Sequence, residues 1–162
     1  PAERDALLAA AAQHSDITVM DTYFTRVETS SLMNLADCYV SLHRSEGLGL
    51  TISEAITLGK PVIATGYSGN LDFLSDANSF IVPGSRVKVG HGAEGYSPEA
   101  MWMEPNVSEA AKYMRYVYEN QAEAAEKGLR GQVDILSAFD VASCGAIMKG
   151  RLEQIWSSQR GN

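Results

Sequence analysis

Residues 43–65 read HRSEGLGLTISEAITLGKPVIAT. Glu46 and Glu54 stand eight positions apart, with Gly47-Leu48-Gly49 between them. The apolar spacing predicts a helix from Thr51 to Leu58, stopped by Gly59 with Pro61 just beyond. "PVIAT" (61–65) is apolar up to its last residue, the pattern of a strand buried on both faces of a parallel sheet. "YVSLH" (39–43) reads as the strand before the glycine turn. Strand, glycine turn, helix and strand in this order are the repeating unit of an α/β fold.

Working outward, residues 3–13 are rich in Ala, Leu and Glu and read as a helix, and "DITVMD" (16–21) reads as a short strand. "ETSSLMNLADC" (28–38) has helical spacing, with Thr29 or Ser30 as its expected cap. After 61–65, "GYSGN" (66–70) opens a short helix and "SFIVP" (79–83) is a further strand. Residues 84–104 are glycine-rich and without period, and so read as a long loop, of the kind that is usually functional or disordered. From Asn106 onward the pattern is helical, with Ala110, Met114, Val117 and Tyr118 on one face, and a last helix over 141–156 carries Ile147, Leu152 and Ile155. The expected fold is therefore α/β and Rossmann-like, a mostly parallel sheet with flanking helices in one domain spanning 1–162. Its core units lie at 17–83, the long loop at 84–104 and the C-terminal helices at 105–160.

Composition bounds the function. With 45% hydrophobic residues the chain has material for a core, and 13 Lys plus Arg against 20 Asp plus Glu give a net charge of −7. That sign argues against nucleic acid or anionic lipid as the main partner. It leaves room for a phosphate, because backbone N–H groups at a helix start bind anions without help from net charge. Cys38 and Cys144 have no metal-ligand spacing and read as small buried residues of a reduced, cytoplasmic protein. The first 30 residues hold no basic start followed by an apolar stretch, and no run of about 18 apolar residues is present. A start at "PAERDALLAAAAQHSD" rather than Met is expected of a piece of something longer.

The strands at 39–43 and 61–65 both run directly into glycine-containing turns, so two helix starts gather at the sheet's carboxyl edge, where ligands of open α/β sheets bind. A dinucleotide fingerprint fails: Gly47-Leu48-Gly49 is followed by Leu50-Thr51-Ile52, without the third glycine, and no acidic residue ends a strand about 20 positions on. Glu54 has a second use open to it. Thr51-Ile52-Ser53-Glu54 fits a capping box, with Thr51 as cap and Glu54 reaching back. Glu46 lies in the turn itself, where surface solvation is its simplest use. His43 reads as a satisfied histidine under the loop, and His91 and Trp102 as packing residues.

The segment "HRSEGLGLTISEAITLGKPVIATGYSGN" resembles the hallmark of the retaining GT-B glycosyltransferases of family 4, glycosyl transferases group 1, nearly position for position. The match runs in order over residues 17–83, and "MWMEPNVSEAAKYMR" resembles a downstream W-x-E-P-D segment of bacterial members. The resemblance implies the C-terminal, donor-binding domain of an enzyme that moves a hexose from a nucleoside diphosphate sugar to a hydroxyl acceptor, in polysaccharide biosynthesis, with no metal and no cofactor. Glu46 then contacts the donor sugar as the catalytic residue. The backbone of Gly47, Leu48 and Gly49 approaches sugar and diphosphate, Leu50 and Thr51 offer N–H groups to phosphate, and Glu54 accepts the ribose hydroxyls. Arg44 can assist the phosphates, although a surface arginine bonds a nearby loop carbonyl as often, and Tyr23 can stack on the base, although a lone aromatic more often packs.

Two departures follow from the same resemblance. The family's donor domain begins with a strand carrying Gly-Arg and then Lys, which neutralise the leaving diphosphate, and no such segment is present. The N-terminal acceptor domain is also absent, so the isolated chain is expected to transfer nothing. A sheet order of 3-2-1-4-5-6 without strands 1 and 2 predicts either pairing of 17–21 with 39–43 or a dimer through that edge. A sugar-nucleotide epimerase of the same fold, or a non-catalytic nucleotide-binding module, are the other readings; the intact pair Glu46 and Glu54 argues against the last.

Overall fold

A computed structural model describes residues 2–93 and 95–160. Helix α1 (Ala2–Ala11) leads through turns into an irregular segment, then α2 (Arg26–Leu35), β1 (Tyr39–Ser41), α3 (Leu50–Thr57) and β2 (Val62–Thr65). A 3-10 turn (Gly69–Asp72), β3 (Phe80–Val82), β4 (Gly84–Lys88) and β5 (Met101–Pro105) follow, and α4 (Val107–Glu119), α5 (Gln121–Ala138) and α6 (Val141–Arg160) complete the chain. The main sheet is parallel throughout, in the order β1-β2-β3, with Ile63 opposite both Val40 and Phe80. No helix among the described residues is long and apolar enough to cross a membrane.

Alternation along the strands sorts the core into two layers. Val62 and Ala64 face Ile52, Ala55 and Ile56 of α3, with Phe73, Leu74 and Ile135 closing that side. Ile63, Phe80 and Val82 face Ala110 and Val117 of α4 and Ala124 of α5. β2 is thus covered on both faces, as its uniformly apolar sequence requires. Met114 and Tyr118, placed by periodicity on the same stripe as Ala110 and Val117, are exposed instead. Ile147, Leu152 and Ile155 of α6 are also exposed. Cys38 and Cys144 are half-buried rather than buried, and both are free thiols.

Three expectations are corrected. The segment 16–21 forms no strand and pairs with nothing in the sheet; Ile17 and Met20 lie half-exposed, and Arg4 ties Asp21 to α1. A β-branched run has strand propensity, but a ladder needs a neighbour. The stretch 84–104 is not a structureless loop, since β4 and β5 form an antiparallel hairpin with Gly84 opposite Pro105 and Lys88 opposite Met101. Helix α2 begins earlier than expected, capped by Thr25 in a reciprocal box with Glu28, because Thr25-Arg26-Val27-Glu28 is itself a capping sequence.

Candidate functional site

The site is built at the carboxyl ends of β1 and β2. After Ser41 the chain turns through Glu46 and Gly47 into α3, whose N-cap is Gly49 at φ +82. A side chain there would be strained, and a Cβ would crowd Ile52 at 3.1 Å. The Ser53 N–H closes the first helical bond onto the Gly49 carbonyl at 2.8 Å. The N–H groups of Leu50, Thr51 and Ile52 therefore have no acceptor within the helix. They carry the positive end of the helix dipole to the sheet edge.

The anticipated capping box at Thr51 does not form. Thr51 lies inside α3, two residues past the cap, and its hydroxyl accepts a hydrogen bond from the Tyr39 hydroxyl at 2.8 Å. Glu54 stands exposed in the same helix, one turn from Thr51 and Leu50, and its carboxylate has no hydrogen bond or ion pair among the described residues. Glu46 is half-buried, and its carboxylate is equally uncommitted among the described residues.

The two glycine turns are locked together. Gly69 lies so close to the first turn that a Cβ on it would sit 1.9 Å from the Gly47 carbonyl oxygen, which only glycine permits. The Glu46 N–H donates to the Ser68 hydroxyl at 2.8 Å, and Ser68 in turn donates to the Tyr67 carbonyl at 2.6 Å. Nε2 of His43 lies 3.1 Å from the same carbonyl and Nδ1 lies 3.3 Å from the Ser41 hydroxyl. A carbonyl only accepts, so Nε2 carries the proton and donates it to that bond. His43 is thus satisfied beneath the turn, as its sequence position suggested. Ser68 and Tyr67 are contributors that sequence reasoning missed; the only signal was their place between Gly66 and Gly69.

Behind the turns, Asn70 and Thr65 are fully buried. The Asn70 amide donates to the Thr65 carbonyl at 2.9 Å, while Asn70 Oδ1 and Thr65 Oγ1 have no partner among the described residues. On the other flank the hairpin closes on Arg44. The Met103 N–H donates to the Arg44 carbonyl at 2.9 Å, and Arg44 Nε donates to Glu104 at 2.8 Å. The Arg44 guanidinium lies over the Trp102 ring at 4.8 Å, and Tyr96 meets Trp102 edge-on. Glu46, Gly47, Leu48, Gly49, Leu50 and Thr51 thus share one turn and helix start, with Glu54 beside them. Arg44 adjoins them but is held by the hairpin. Tyr23 sits apart before α2, with relative exposure of 104% and no ring packed on it among the described residues. No group of His, Cys, Asp and Glu among the described residues is arranged to hold a metal ion.

Chemically, the arrangement offers the N–H donors of a helix start for an anion, glycine backbone that admits close approach, and two carboxylates that are free among the described residues for hydroxyl groups. Comparison with known proteins agrees with the fold. The Anabaena protein HepE, solved in complex with UDP-glucose, aligns over 94% of this chain and 36% of its own, with a TM-score of 0.65 and 18% identity. Sucrose-phosphate synthase of Thermosynechococcus elongatus aligns over 97% of this chain and 35% of its own, with a TM-score of 0.70 and 17% identity. At such identities the likeness is one of fold, and the chain spans about a third of the length of either structure. No match is found among curated proteins. The family model described as "Glycosyl transferases group 1" matches residues 6–132, which hold every strand from β1 to β5 and end within α5. The chain belongs to the glycosyl transferases group 1 family.

Proposed function

We propose that this chain is the donor-binding half of a retaining, family 4 glycosyltransferase that moves a hexose from a nucleoside diphosphate sugar to a hydroxyl acceptor. One observation carries the reading: the N-terminus of α3, capped by a glycine that offers no side-chain acceptor, opens beside two interlocked glycine turns and two carboxylates uncommitted among the described residues. Family membership and the UDP-glucose held by HepE support it.

In this reading the N–H groups of Leu50 and Thr51 hold the diphosphate, and the backbone of Gly47, Leu48 and Gly49 lies along sugar and phosphate. Glu54 accepts the two ribose hydroxyls, since one carboxylate matches an adjacent diol with two charge-assisted bonds. Glu46 accepts hydroxyls of the sugar near the reacting carbon. As the sugar–phosphate bond breaks, negative charge grows on the departing diphosphate, and the α3 N-terminus is already oriented to stabilise it. Arg44 can add to this only by exchanging Glu104 for phosphate, and Tyr23, fully exposed before α2, is the ring available to stack on the base. An acceptor domain completes the cleft, so the 162 residues alone bind donor without transferring sugar.

The test is calorimetry on the full-length protein with UDP, UDP-glucose, GDP and GDP-mannose. Binding of at least one pair, lost when Glu54 is changed, is the expected result. Failure of all four to bind would remove the donor reading.

A further inference from the structure

Ser68 is the only non-glycine residue among the described ones with a positive φ. Its φ of 70 and ψ of −153 lie in a region that is essentially reserved for glycine. A serine held there is strained, and the surrounding structure must over-determine it. Its hydroxyl does so by bridging two backbone groups, accepting the Glu46 N–H and donating to the Tyr67 carbonyl. The next residue ties the other side of Glu46, because the Gly69 N–H donates to the Glu46 carbonyl at 3.4 Å. Both peptide groups of Glu46 are thereby fixed to the second glycine turn, while its carboxylate has no partner among the described residues. Glycine would occupy position 68 without strain, but it could not make the bridge.

We infer that Ser68 is the positioning residue for Glu46: its hydroxyl fixes the backbone from which that carboxylate reaches the donor sugar. The inference rests on the donor reading above and assigns Ser68 no contact with the substrate. The role separates from general stability because the two effects of Ser68→Gly have opposite signs. Removing the side chain relieves the backbone and loses the bridge.

The experiment compares Ser68→Gly and Ser68→Ala with wild type in the full-length protein, using whichever pair of UDP and UDP-glucose or GDP and GDP-mannose the wild type binds. The expected result for Ser68→Gly is a melting temperature at or above that of wild type. Affinity for the nucleoside diphosphate should stay within about twofold, while the extra affinity contributed by the sugar falls roughly 3- to 10-fold in both variants. Amide hydrogen exchange at Glu46 should also accelerate in both. An unchanged sugar contribution, or equal losses for nucleotide and sugar nucleotide with a lowered melting temperature in Ser68→Gly, would overturn the assignment. The exchange measurement needs no ligand. Unaltered protection of the Glu46 amide in Ser68→Gly sinks the positioning role by itself, whereas a wild type that binds no nucleotide sinks the donor reading beneath it.

Discussion

Glu54 projects from α3 with its carboxylate free among the described residues, although its spacing from Thr51 suits a cap. Because Gly49 takes the cap position, Glu54→Gln removes no helix bond and should leave the melting temperature unchanged. If Glu54 holds a ribose diol, losing charge-assisted bonds costs about 1.5–3 kcal/mol, or roughly 10- to 150-fold in nucleoside diphosphate affinity. Calorimetry beside a melting curve checks both; intact affinity with a lowered melting temperature would return Glu54 to a structural role. Glu46→Gln should instead reduce turnover more than nucleotide affinity. Thr65 gives a second test at this scale. Its Oγ1 is fully buried and without a partner among the described residues, so Thr65→Val removes a desolvated hydroxyl without breaking a bond. Chemical denaturation should show stability equal to wild type or higher by up to about 2 kcal/mol. A clear loss would mean that a bound water occupies the pocket.

At the scale of elements, the hairpin decides how much positive charge the site can offer. Arg44 and Glu104 are both about half exposed, at 49% and 46% for their side chains, so their ion pair is weak. If a diphosphate binds at this turn, it competes with Glu104 for that guanidinium. Glu104→Gln should therefore strengthen binding of a nucleoside diphosphate by up to about fivefold. Unchanged or weaker binding would show that Arg44 serves only the hairpin. Helix α6 carries a pH-sensitive start of its own. The Ser143 hydroxyl, with the N–H groups of Ser143 and Ala142, holds the Asp140 carboxyl below its ordinary range. A depressed folded-state pKa contributes stability that is present above the unfolded value, about 3.9, and is lost as pH falls through the lower folded value. Amide protection in the first turn of α6 should fade in that acid window, and Asp140→Asn should keep the cap while abolishing its pH dependence. Persistence of the acid loss in that variant would assign it to another group.

What the sequence showed at this scale follows from where each signal is stored. α3, β2 and the glycine turns were legible because buried periodicity and helix stops are local. The hairpin was not, since β4 and β5 are largely exposed and the glycine-rich tip between them hides the alternation of Ser85, Val87 and their neighbours. The segment 16–21 failed for the opposite reason, having local propensity without a partner. At the site, the residue types of Glu46 and Glu54 could be read, but the left-handed Ser68 and the Glu104 clamp on Arg44 arise only when distant segments meet.

For the molecule as a whole, the unresolved physical problem is the outer edge of β1. No strand pairs with it among the described residues, so its backbone donors and acceptors face outward beside a cleft of about 420 Å³. Val40, Met114 and Tyr118 line that cleft, and Val40 retains 37% exposure in the middle of a strand. Within the cleft, burial raises the Cys38 thiol to about 11, with the Asp37 charge adding to the effect, so the thiol stays neutral and Asp37 is the one charged residue on that wall among the described residues. An apolar, unpaired edge recruits a further strand unless charge or a bulge blocks it. Net charge of −7 opposes association between copies, but salt screens it over about 8–10 Å, whereas strand pairing acts at contact. The isolated 162-residue chain should therefore form dimers as concentration and salt rise, and sedimentation equilibrium should resolve them. Val40→Lys puts a charge at the centre of the edge and should return the chain to monomer without unfolding it, because that side chain is already partly solvated. A wild-type chain that stays monomeric at every concentration and salt would show that the edge is protected by the chain itself.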